Sequence, residues 1–93
     1  MTATVWTAIA GLVGEPFVLE LADGATLDVE LSGAERHDVP GGGSMVLTFT
    51  AEAAVPEQGT YWISHDAIGR EPVFLVPRSP HQLDATITWL DAP

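Results

Sequence analysis

Ser64-His65-Asp66 sets the three residue types of a hydrolytic triad side by side. A triad works because nucleophile, base and orienting carboxylate converge from distant chain positions onto one proton path. Consecutive residues cannot aim at one another in that way. The run therefore reads as a turn leaving a strand, with His65 bonding locally and Asp66 capping the short turn through Gly69. The histidines are His37, His65 and His81. None stands one helical turn or two strand positions from another, and each falls near a loop, so no metal centre is expected. Thirteen acidic residues offer oxygen ligands for a hard cation, yet no stretch carries acids around a glycine at calcium-loop spacing. Asp28 and Glu30 share one strand face, with Glu20 across from them on the partner strand. Glycosidase chemistry needs one such carboxyl moved into an apolar pocket, and these are expected to face water. Gly41-Gly42-Gly43 lacks the Lys-Ser/Thr pair and following helix of a phosphate cradle and reads as a flexible loop. No catalytic residue, metal ligand or cofactor is assigned, and the chain is read as a non-enzyme.

The aromatic residues offer more. Tyr61 and Trp62 are neighbours on a strand and point to opposite faces. One joins the core. The other is an outward anchor for a protein partner or a stacking surface for a small ligand or glycan. The alternative is that Trp62 packs beneath the N-terminal helix or a loop. Trp6, near the start of the chain, is a third interface candidate.

Ninety-three residues make one domain, spanning 1–93, with one modest core. Hydrophobic residues make up 46% and charged residues 17%, which places the chain in the globular class. The net charge is −10, with three arginines and no lysine. Nucleic-acid binding depends on neutralising phosphates with Lys and Arg, and Arg36, Arg70 and Arg78 are too few and too scattered for that. An anionic membrane surface is disfavoured by the same repulsion. With no cysteine, disulfides and thiolate chemistry are excluded. The apolar stretch Val5–Val13 lacks a basic flank and is too short to span a bilayer. It reads as part of the fold, with the cytoplasm as the default location and export in a particle without a leader as the alternative.

The elements that position these residues follow from hydrophobic period. Val5, Trp6, Ile9, Leu12 and Val13 recur at helical spacing, predicting a short amphipathic helix over Thr4–Val13 with Gly14 as its C-terminal stop. An edge strand is the competing reading. From Phe17 the period becomes two. Phe17/Leu19/Leu21 and Leu27/Val29/Leu31 flank Asp23-Gly24, a hairpin signal. Met45/Leu47/Phe49, Thr60–Ser64, Val73–Val76 and Leu83/Ala85/Ile87/Trp89 supply four more strands. Pro40–Gly43, Ala51–Glu57 and Pro77–Gln82 read as loops. The fold class is mainly β, a small antiparallel β-barrel or sandwich of about six strands with one short N-terminal helix.

Phe17-x-Leu19-x-Leu21, Met45-x-Leu47-x-Phe49, Gln58-Gly59-Thr60-Tyr61, His65-x-x-Ile68-Gly69 and Phe74-Leu75-Val76-Pro77 together resemble a small bacterial domain-of-unknown-function family. The resemblance runs from Trp6 to about Thr88. It implies a short all-β protein without assigned catalytic residues, and it implies a setting beside phage-tail-collar-type and tail-fibre-like proteins. The motif residues have folding roles of their own. Gln58-Gly59 fits a turn entering the fourth strand, with Gly59 supplying a strained backbone angle, and Gly69 does the same in the next turn. Pro77 ends the fifth strand for want of an amide donor. The leading expectation is a structural or assembly module that packs against itself or a protein partner. A ligand- or glycan-binding module and an acidic inhibitor of a basic partner are the alternatives.

Overall fold

The computed structural model describes residues 8–90. Six antiparallel strands form one sheet: β1 (Pro16–Glu20), β2 (Thr26–Val39), β3 (Gly42–Thr50), β4 (Gly59–His65), β5 (Gly69–Ser79) and β6 (Gln82–Leu90). Their spatial order is β1-β2-β3-β6-β5-β4, and β1 pairs with β4 to close the ring, so barrel rather than sandwich is the outcome.

The period-two residues are the core. Phe17, Leu19, Val29, Leu31, Met45, Leu47, Phe49, Ile63, Val73, Leu75, Leu83 and Ala85 all face inward and are buried, and Phe17 meets Phe49 edge to face with ring centroids 5.6 Å apart. Burying each large side chain contributes about 1.5–3 kcal/mol. Ile9, from a helical turn at residues 8–10, joins this cluster. The predicted helix is thus present in part. Its first turn, with Val5 and Trp6, lies outside the described residues. Gly14 stops it as expected, at φ +94°.

Two loop expectations and one strand length need correction. Only Pro40 and Gly41 form the turn after β2. Gly42 and Gly43 lie in β3, opposite Val39 and Asp38. Glycine is tolerated there because Gly43 has the Trp89 ring against it, where a side chain has no room. The third strand's partner is also longer than alternation suggested, for β2 runs on through Gly33-Ala34-Glu35-Arg36-His37-Asp38-Val39. Pro77 does not end β5, which continues to Ser79. A β-bulge directly after Pro77 accommodates the missing donor.

The bulges decide facing. Ser32 is the extra residue between Leu31 and Gly33, and it swaps the two faces of the remaining strand. Ala34, Arg36 and Asp38 therefore lie on the inward side, opposite Leu47, Met45 and Gly43. Arg78 is the extra residue of the second bulge, and its guanidinium turns back to Asp84 at 2.7 Å.

Candidate interaction face

The cross-strand registers assemble one outward surface. Val18 pairs with Ser64 and Glu20 with Trp62 between β1 and β4. Trp62 pairs with Pro72 and Thr60 with Phe74 between β4 and β5. Directly opposite residues share a face, so Val18, Glu20, Trp62, Arg70, Pro72 and Phe74 form a contiguous patch on the outside of the barrel. Trp62 is 40% and Phe74 48% exposed. Inward Ile63, Val73 and Leu75 fix this arrangement, because alternation sends their neighbours outward.

Polar groups frame the patch. The Arg70 guanidinium stands 4.0 Å from the centroid of the Trp62 ring, and its Nε donates to Glu20 Oε2 at 2.5 Å. One face of the indole is thereby covered by the cation, leaving the edge and the other face to solvent or a partner. Arg36 is held by Asp38 at 2.8 Å and Arg78 by Asp84. All three arginines thus lean on the chain's own carboxylates, and the excess charge of the surface is negative.

Tyr61 and Trp62 point to opposite faces, as the sequence required. Tyr61 is the inward one. It packs against the core, and its hydroxyl donates to the Glu57 carbonyl at 2.6 Å. It therefore has a structural role, and Trp62 is the outward-facing member of the pair. Trp6 lies outside the described residues. Phe74, Val18 and Arg70 were not singled out from sequence, although Val73 and Leu75 as core residues already imply an outward Phe74.

The turn residues divide. Gly69 adopts φ +76°, as expected, and Gln58 sits in the bend entering β4. Gly59 does not have a positive φ. It opens β4 opposite Leu75, and the Tyr61 ring lies over it.

Ser64, His65 and Glu15 line a shallow hollow beside the patch. The Ala67 amide donates to His65 Nδ1 at 2.9 Å, which leaves the proton on Nε2, 3.1 Å from Glu15 Oε1. Both ring nitrogens are engaged, the side chain is only 13% exposed, and the ring lies against Phe17 with centroids 4.8 Å apart. This geometry fastens the segment before β1 to the β4–β5 turn. Local bonding by His65 is as predicted from sequence. Asp28 and Glu30 face outward opposite Val18 and Pro16, and Glu20 pairs with Thr26 on that same outer face. Among the described residues no group of three or more His, Asp or Glu side chains is gathered to hold a metal ion.

No curated protein and no solved structure matches the chain. A family model described as a domain of unknown function (DUF6916) matches residues 5–87. That match spans most of the sequence, and the protein belongs to this family.

Proposed function

We propose that this protein is a non-enzymatic assembly or interaction module whose working surface is the outer face of β1, β4 and β5. The observation that carries this reading is the exposure of Trp62 and Phe74 on one rigid sheet face. Large aromatics in the open cost solvation unless they are covered, and Trp is enriched among residues that dominate binding energy. Arg70 packs on the Trp62 ring, so little conformational entropy of that side chain is lost when a partner covers it. The occupant is a protein surface with an apolar centre and cationic rim, since the chain carries −10 and its arginines are held by its own acids. A phage-tail-like particle is the setting that the sequence resemblance supports.

The test is affinity purification of the chain from its own host, followed by reconstitution with the identified partner. The double variant Trp62→Ala/Phe74→Ser loses the partner and keeps its fold. Undiminished binding by that variant removes this face from the reading. The net charge also favours a second reading, a small acidic inhibitor of a basic protein. Binding that weakens steeply with salt while tolerating the double variant selects it.

A further inference from the structure

We infer that His65 is a proton-operated latch on the β4–β5 turn: the neutral ring holds the Ala67 amide, and the imidazolium releases it while keeping Glu15. The latch does not require the Trp62 face to bind anything.

The device follows from what each ring nitrogen does. The Ala67 N–H points at His65 Nδ1, 2.9 Å away, and a backbone amide can only donate. Nδ1 therefore offers its lone pair, and the proton of the neutral ring sits on Nε2, 3.1 Å from Glu15 Oε1. The opposite tautomer serves neither partner. A second proton has only Nδ1 to go to. There it sets two N–H groups head to head at hydrogen-bond distance, so the cation and the Ala67 bond exclude each other. At Nε2 the same protonation has the reverse effect, because the bond to the Glu15 carboxylate becomes charge-assisted and strengthens.

The surroundings decide which side yields. Glu15 is tied down, for its carbonyl accepts from Leu31 N–H at 3.1 Å and its own N–H donates to the Leu12 carbonyl at 2.9 Å. The imidazole lies against Phe17 of β1 and is only 13% exposed, which leaves it little room to swing out. The turn is the yielding side. Besides the Ala67 bond it closes through Ile68 N–H to the His65 carbonyl at 3.1 Å and bends at Gly69. Ala67 is exposed, so water takes over its amide once Nδ1 is protonated. The other charged groups at this hollow are Asp66 of the turn and Arg70 of β5. Asp66 adds negative charge beside the ring. Arg70 is engaged with Glu20 and the Trp62 ring, so Glu15 is the carboxylate in contact with the imidazolium.

Nitrogen-15 NMR of the whole chain tests this. At about pH 8, above the ordinary imidazole range, the ring is expected as the Nε2–H tautomer, with a scalar coupling across the hydrogen bond between the Ala67 nitrogen and Nδ1. Acidification that charges His65 abolishes the coupling. The exchange protection of the Ala67 amide, corrected for its intrinsic rate, falls about fivefold, the worth of one hydrogen bond. The Nε2 proton meanwhile stays slow to exchange with water, held by Glu15. His65→Asn supplies an oxygen that accepts the same amide and does not titrate, so its Ala67 protection is level across that range. Glu15→Gln keeps the Ala67 change and lets the Nε2 proton of the charged ring exchange faster. An Nδ1–H tautomer at the higher pH overturns the proposal. So does Ala67 protection that holds level while native His65 becomes charged, a fall of the same size in His65→Asn, or an Nε2 proton that Glu15→Gln leaves unaltered.

Discussion

The molecule contains the same three-residue cluster twice, in two states of burial. At the β2–β3 end Arg36 lies 5.3 Å from the Trp89 ring and is bound by Asp38. At the β4–β5 end Arg70 lies 4.0 Å from the Trp62 ring and is bound by Glu20. Both hairpins turn on a glycine in the left-handed region, Gly41 at φ +82° and Gly69 at φ +76°. Yet Trp89 is 6% exposed and Trp62 40%. The difference lies in what stands opposite each indole. Trp89 faces Gly43, whose missing side chain lets the ring sink onto the backbone. Trp62 faces Glu20 and Pro72 on the outside of a closed barrel, with no described element layered over it. An arginine over a tryptophan is therefore no guide to role. One cluster seals the core, and the other lies at the surface.

The sharpest way to break the comparison is Trp89→Ala. It removes a buried aromatic and lowers stability by about 3–5 kcal/mol in urea unfolding. A loss under 1 kcal/mol contradicts a sealing role for that ring. Gly43→Ala comes next. A Cβ there meets Trp89 Cζ2 at 2.7 Å and the His37 carbonyl oxygen at 3.1 Å, so ring or backbone must move. Overpacking of this kind costs about 1–3 kcal/mol. Placing Gly43→Ala in the Trp89→Ala background sharpens the point, because its added cost there shrinks once the ring is gone. Gly69→Ala and Gly41→Ala are the control shared by both hairpins. Each forces alanine into the left-handed region and costs about 1–2 kcal/mol, read as a matched drop in melting temperature. At the other cluster Trp62→Ala costs less than Trp89→Ala, about 1–2 kcal/mol, since the 40% exposed ring forfeits partial burial and one cation–π contact. Its effect is expected in partner binding. A destabilisation as large as that of Trp89→Ala refutes the distinction. Arg70→Ala is the smallest, within about 1 kcal/mol because the pair is largely solvated.

Much of the scaffold was legible. Phe17/Leu19, Val29/Leu31, Met45/Leu47/Phe49, Val73/Leu75 and Leu83/Ala85 alternate in sequence and are the buried set. Asp23-Gly24 sits in the β1–β2 hairpin, where Gly24 N–H donates to the Leu21 carbonyl and Asp23 Oδ1 accepts from the Ala25 amide at 2.9 Å. The far half of β2 was not legible, because Glu35-Arg36-His37-Asp38 carries no apolar alternation and owes its extended form to pairing with β3. The Gly42-Gly43 strand start was hidden for a related reason. Glycine reads as loop wherever no partner residue is known to need the space. The candidate face was half visible. Opposite facing of Tyr61 and Trp62 follows from strand geometry, whereas Arg70 over Trp62 joins residues on two strands.

Taken alone, the order of residues determined what depends on near neighbours: strand period, turn chemistry, the negative charge and the division of adjacent side chains between inside and out. These are local or additive properties, and the chain cannot hide them. Only the folded molecule decided closure of the ring, the two bulges that reset facing, and which tryptophan a glycine receives. Each of these depends on a partner strand distant in sequence, and register across that distance is set by the packing of the whole core rather than by either strand.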